Sequence, residues 1–221
     1  METGHIRKSF DEQLEEIKQE ILKMGSAVEE MLVGAIKALK ERNVSLADGI
    51  IAKDDVVDAY NLQIEKHCLS LLALQQPMAS DLRTIAAALY IIKDVERMGD
   101  YALDIAKAAK KLAAVDPVKT LVKIPAIADI VQRMLRDSLQ AFVNHDVRVV
   151  SEVANLDDEV DILYRQIRDE MIELIQGKPE LAQPAVELIL VARYLERIAD
   201  HVTNVGERIA YMETGDIKEL H

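Results

Sequence analysis

The chain has no tryptophan, one cysteine, five prolines and eight glycines in 221 residues, and aromatic residues make up only 4%. A single cysteine, Cys68, excludes an intrachain disulfide, gives no sign of a zinc–thiolate site, and agrees with a reducing, cytoplasmic setting. With few aromatics, the core has to be built from Leu, Ile, Val, Ala and Met, which suit helix packing. The scarcity of Gly and Pro leaves few breaks in those helices. Basic residues are also in deficit: 27 Lys and Arg stand against 39 Asp and Glu, for a net charge of −12. A phosphate backbone needs a basic face, so DNA and RNA are poor partners. The longest apolar run, Ile85 to Ile92, is far short of the roughly 20 residues that span a bilayer. The opening METGHIRKSFDEQ has no apolar signal core, so no direct membrane insertion is expected.

What is present is helical periodicity almost throughout. It predicts an all-α fold of six long helices at about 8–41, 44–74, 79–113, 120–143, 147–176 and 181–212, and no strand. Asn43 and Asp146 stand where N-caps belong, Pro77 and Pro117 stop the second and third helices, and Gly177 with Pro179 stops the fifth. Ser80-Asp81-Leu82-Arg83 reads as a capped helix start with Arg83 paired locally. Apolar stripes run through Ile50, Val57, Tyr60, Ile64 and Leu71, and again through Val153, Leu156, Val160, Leu163, Ile167 and Leu174.

The two halves overlay. At an offset of 103, Met31, Asn43, Asp54 and Asp58 meet Met134, Asp146, Asp157 and Asp161. Beyond the proline loops the offset becomes 100, and Leu89, Glu96, Arg97 and Asp100 meet Ile189, Glu196, Arg197 and Asp200. Two tandem, pseudo-symmetric three-helix bundles, 1–115 and 116–221, are the economical reading.

The repeated acids carry the chemistry. Asp54/Asp58 and Glu96/Asp100 in the first half, and Asp157/Asp161 and Glu196/Asp200 in the second, are all spaced four apart. Each pair therefore shares a helix face. One such pair is usually a solvated face, and Arg97 and Arg197 could neutralise their neighbours. Four pairs in matching places, with Glu96 and Glu196 on core-facing lines, instead point to a cation. Clustered carboxylates either take up protons or hold a hard ion such as magnesium, calcium, manganese or iron. Asp104 and Asn204 extend the two rows, leaving the second one charge poorer. His201 follows Asp200 but points about 100° away, has no counterpart in the first half, and is expected exposed. His67 and His145 read as surface or cap residues. There is no Glu-x-x-His, no phosphate loop and no nucleophile motif.

Gln76-Pro77, Ser80-Asp81-Leu82-Arg83, Asp94-Val95-Glu96-Arg97-Met98-Gly99-Asp100 and Ala192-Arg193-Tyr194-Leu195-Glu196-Arg197-Ile198-Ala199-Asp200-His201 resemble the PhoU family over essentially the whole chain. That resemblance implies a cytoplasmic, non-enzymatic negative regulator of phosphate uptake and of the phosphate-starvation response. It implies partners in the phosphate transporter ATPase and a sensor histidine kinase, and a homodimer. It also implies metal ions (iron, manganese, magnesium or zinc), including multinuclear clusters. By position the ligands are Asp54, Asp58, Glu96, Asp100 and Asp104, then Asp157, Asp161, Glu196, Asp200 and Asn204. The rival class is an enzyme: DDVVD and DDEVD match the DDxxD pattern of helical prenyl-diphosphate synthases. Against it stand the short chain, the few bases near either motif and the unexplained Glu-Arg-x-x-Asp pair.

Overall fold

The computed structural model describes residues 2–75, 77–115 and 123–216, with side chains from residue 10 onward. Among these, seven α-helices and one 3-10 turn form the fold, with no strand: α1 (Glu2–Glu41), α2 (Val44–Ile51), α3 (Asp54–Gln75), α4 (Ala79–Ala113), α5 (Lys123–Asn144), α6 (Val149–Gly177), the 3-10 turn (Pro179–Leu181) and α7 (Ala182–Thr214). The expected helix over 44–74 is two helices. Its chain turns at Ala52 and Lys53, where the Lys53 amide bonds the Ile50 carbonyl at 3.0 Å. The matching stretch of the second half stays inside the continuous α6. Gly49, a poor helix former, stands in α2 where the second half has Glu152. The break places Asp54 in the first turn of α3, where the helix dipole favours a negative charge. The predicted stop at Pro117, the start of α5 near 120 and the boundary between the two units lie outside or at the edge of the described residues.

The cap positions divide. Asn43 caps α2 as expected, its Oδ1 accepting from the Leu46 amide at 3.0 Å. Asp146 does not cap α6: it accepts from the Arg148 amide two residues on and from the Arg148 guanidinium, forming an Asx turn before a helix that starts at Val149. At Ser80–Arg83 the N-cap is Met78 and makes no side-chain cap bond. Arg83 reaches another helix, its Nε donating to the Met212 carbonyl at 3.0 Å.

The two units share one core. α1 packs on α2, α3, α4 and α5, while α7 packs on α4, α5 and α6. The inner helices of both halves therefore touch, and α3 and α6 lie on opposite flanks. A single apolar cluster runs from Ile21, Met24 and Met31 on α1 through Ile91, Val95 and Met98 on α4 to Val131 and Met134 on α5 and Val191, Ile198 and Val205 on α7. Burying a side chain of this kind stabilises by about 1.5–3 kcal/mol. Helix α4 runs antiparallel to α7, as the contacts Arg83–Met212, Tyr101–Tyr194 and Lys111–Glu187 require. Close approach matters at Gly99: a Cβ there would lie 3.3 Å from Val57 Cγ1, so a bare α-carbon lets α3 settle on α4.

Each half also turns through a non-glycine residue in left-handed conformation, Arg42 (φ 54°) and His145 (φ 58°), at equivalent positions. Both reach the end of a neighbouring long helix. The Arg42 guanidinium donates to the carbonyls of Ala113 (2.8 Å) and Val115 beyond α4. His145 Nδ1 lies 2.6 Å from Glu213 near the end of α7.

Candidate functional site

Antiparallel packing of α3 on α4 brings Asp54 and Asp58 beside Glu96 and Asp100. Burial raises the Asp54 carboxyl above its usual range, and Asp58 and Asp100 push it further. Burial likewise raises Glu96, with Asp100 and then Asp58 adding to the effect while Arg97 opposes it. The two helices therefore contribute to one electrostatic cluster. On the opposite flank α6 and α7 do the same with Asp161, Glu196 and Asp200. Glu196 is 6% exposed. Burial, then Asp200 and more weakly Asp161, pushes its carboxyl up to about 7 against the pull of Arg193 and Arg197. Asp157 is half-buried one turn before Asp161 on α6.

The clusters differ in how their charge is met. In the first, Arg97 bonds Asp100 at 2.9 Å, and among the described residues Asp54, Asp58 and Glu96 make no ion pair. In the second, Arg165 bonds Asp161 at 2.6 Å, Arg197 bonds Asp200 at 2.9 Å, and Arg193 bonds Glu196 Oε1. Sequence reasoning named Arg97 and Arg197 but missed Arg165 and Arg193. The i,i+4 step from Asp161 and the i,i+3 step to Glu196 were the available signals. Glu196 Oε2 stays buried without a hydrogen bond, 3.9 Å from Arg197 Nε.

Two row extensions point elsewhere. Asp104 bonds Lys107 at 3.0 Å and faces Tyr194 of α7. Asn204 donates its amide to Asp94 Oδ1 at 3.1 Å, and His201 Nδ1 lies 2.8 Å from the same oxygen. His201, expected to be exposed, is thus largely buried and bonded to Asp94 of the first half. Tyr101 lies against both Tyr194 and His201, at ring separations of 6.0 and 5.8 Å. His67 pairs with Glu20 at 2.9 Å, and His145 with Glu213, so neither stands alone.

For a hard cation the chemistry of the donors fits: carboxylate oxygens from two helices per cluster, mutual repulsion that a cation would relieve, and a buried unpartnered oxygen on Glu196. As the side chains stand, no group of three or more His, Cys, Asp or Glu among the described residues is placed to hold an ion. Several of the carboxylates turn instead toward guanidiniums.

Comparison with known proteins matches this architecture. The PhoU domain family model matches twice, at residues 21–109 and 124–209. A Clostridium acetobutylicum "phosphate-specific transport system accessory protein PhoU homolog" is 37% identical over 216 residues, 97% of this chain and 99% of that one. Its Aquifex aeolicus counterpart of the same description is 40% identical over 210 residues, 95% of each. The crystal structure of PhoU from Pseudomonas aeruginosa superposes with a TM-score of 0.89 at 31% identity, covering 94% of this chain and all of that one. That of the phosphate transport system regulatory protein PhoU from Streptococcus pneumoniae gives 0.89 at 32%, covering 95% and 99%. Two helical repeats with paired acids on matched helices, a double domain match and full-length relatives agree: the chain belongs to the PhoU family.

Proposed function

We propose that the protein is a non-enzymatic, cytoplasmic regulator of phosphate uptake that restrains the phosphate-starvation response when phosphate is abundant. In this reading it acts as an adaptor between the ATPase subunit of a phosphate transporter and a sensor histidine kinase, and it works as a homodimer. The observation that supports it most is the double domain match, joined to full-length relatives described as accessory proteins of phosphate-specific transport. The protein itself carries no helix long and apolar enough to cross a membrane among the described residues. Its acidic surface would then dock on basic patches of a membrane complex, with salt-sensitive association. Metal ions held by Asp54, Asp58, Glu96 and Asp100, and by Asp157, Asp161, Glu196 and Asp200, would neutralise these rows and fix the flanking helices to the inner ones. Binding to the folded state alone adds about 3 kcal/mol of stability at a hundredfold excess over Kd.

The DDxxD alternative draws no support from the geometry. Its two motifs start on α3 and α6, which lie on opposite flanks, so they do not face one another across a substrate cavity. The deciding experiment is a deletion strain grown in high phosphate. Starvation genes should be expressed constitutively and be silenced by the intact gene, and the purified protein should capture the transporter ATPase. Normal repression in the deletion strain would refute the regulator. Condensation of allylic and isopentenyl diphosphates by the purified protein would refute its non-enzymatic character.

A further inference from the structure

We infer that the face formed by α1 and α5 is a twofold seat: one chain of this protein lies across the axis of a homodimeric partner and takes one apolar anchor from each partner subunit. This rests on the adaptor reading above and adds which face meets the transporter's paired ATPase subunits. The relation between the halves is the starting point. Glu29 on α1 and Gln132 on α5 occupy matched positions, and they bond to each other at 2.6 Å. Equivalent groups in contact lie astride the axis that relates them, so the pseudo-twofold emerges between α1 and α5 at this pair.

A cleft lies on each side of that axis. The first, about 530 Å³, is between α1 and α2 and reaches Gln132 of α5. The second, about 360 Å³, is between α5 and α6. Positions 30, 34, 46, 50 and 53 line the first, and their counterparts at the 103-residue offset, 133, 137, 149, 153 and 156, line the second. Leu46 and Ile50 floor one cleft, and Val149 and Val153 floor the other. The rims differ. Glu29 and the Glu30–Lys53 ion pair stand on the first, while Arg133, Asp137 and Glu152 stand on the second. Each rim carries both signs, so neither selects a ligand by charge. What the clefts share is an apolar floor behind a polar rim, which fits one large apolar side chain of a protein partner.

Spacing decides how many partners are served. Helices α2, α1, α5 and α6 follow one another across this face, each in contact with the next. Packed helices lie about 8–10 Å apart, so the two clefts are about 20 Å from each other. A partner held by a standard interface covers about 800 Å², a patch about 30 Å across. Two independent partners centred on the two clefts would therefore collide, and one partner has to span both. To fill matched clefts with the same anchor, that partner presents the anchor twice, about a twofold of its own.

The test compares binding of the full chain to two probes: the intact phosphate transporter in nanodiscs, where the ATPase subunits are paired, and the isolated ATPase subunit as a monomer. A second anchor acts at roughly millimolar effective concentration, so the pair should bind at least about a hundredfold more tightly than the single subunit. Ser26→Trp sets a bulky ring on the rim of the first cleft, and Asn155→Trp does so on the second. Both positions are exposed, and thermal melts check that each variant is folded. Either substitution should lower affinity for the pair by at least about tenfold, and the two together should lower it further. Equal affinity for pair and single subunit, or a loss confined to one cleft or absent from both, would overturn the inference while leaving capture of the ATPase intact. Dissociation of the protein's own dimer by either variant, read by sedimentation, would assign the face to a second copy and overturn it as well. No capture of the ATPase at all would overturn the adaptor reading and this inference with it.

Discussion

Replacing Glu196 with Gln should change how stability depends on pH rather than simply lower it. The Glu196 side chain is buried beside Asp200 and Asp161, and its carboxyl titrates near 7 instead of the ordinary 4.5. Because the folded-state value is raised, the folded protein binds more protons than the unfolded chain between those two pH values. Stability from this group is therefore greatest below 4.5, declines as pH rises, and is fully lost above 7. At 1.36 kcal/mol per unit, the decline is at most about 3 kcal/mol. Gln keeps an acceptor for Arg193 but sets an NH₂ group where Oε2 has no partner, which costs about 1 kcal/mol at every pH. The variant should be the less stable protein at pH 5 by about 1 kcal/mol, and the more stable one at pH 8 by about 1–2 kcal/mol. Urea unfolding in chelator at fixed ionic strength from pH 5 to 8 measures both curves. Parallel curves, with a constant difference across the range, would refute the placement of a high-energy carboxylate at this position.

Other outcomes follow from the same geometry. Asp94→Ala strands His201 and Asn204 at the contact between the halves and should cost about 1–3 kcal/mol in urea or thermal unfolding, with little further loss when Asn204→Ala is added. Gly99→Leu drives a side chain into Val57 and should lower stability by about 1–3 kcal/mol, while weakening Mn²⁺ uptake by the first cluster, because α3 is pushed off α4. Cys68, fully buried with its thiol pushed up to about 12, should resist a thiol reagent at pH 8 in the folded protein and react on unfolding. Rapid labelling without denaturant would contradict that packing.

The helices were legible because long amphipathic stripes such as Ile50–Leu71 and Val153–Leu174 leave little choice of period. The break at Ala52–Lys53 was not. No proline marks it, and its turn replaces few hydrogen bonds, so the apolar stripe continues across it with only a small change in phase. Periodicity also shows which face of a helix is apolar without showing what covers it, so the packing of α1 on α5 that merges two expected cores into one was out of reach. At the candidate site, the acid pairs could be read from spacing because each pair lies on one helix. The contact of Asp94 with His201 and Asn204 joins residues more than a hundred apart and follows only from the antiparallel pairing of α4 and α7. A signal for it did exist: the overlay replaces Asp94, Tyr101 and Asp104 by Tyr194, His201 and Asn204, three changes on one face while the neighbouring acids match.

Those three changes also determine which halves can pair. About the pseudo-twofold between α4 and α7, Asp94 meets His201 and Asn204, and Tyr194 meets Tyr101 and Asp104. If two first halves met through the same surface, each Asp94 would confront the other's Tyr101 and Asp104, acid against acid with no amide or imidazole between them. Two second halves would set Tyr194 against His201 and Asn204 and leave Asn204 without its carboxylate. Only the unlike pairing satisfies both ends. The three changes therefore make the contact between α4 and α7 specific for unlike halves, by leaving each like pairing with unmatched polar groups.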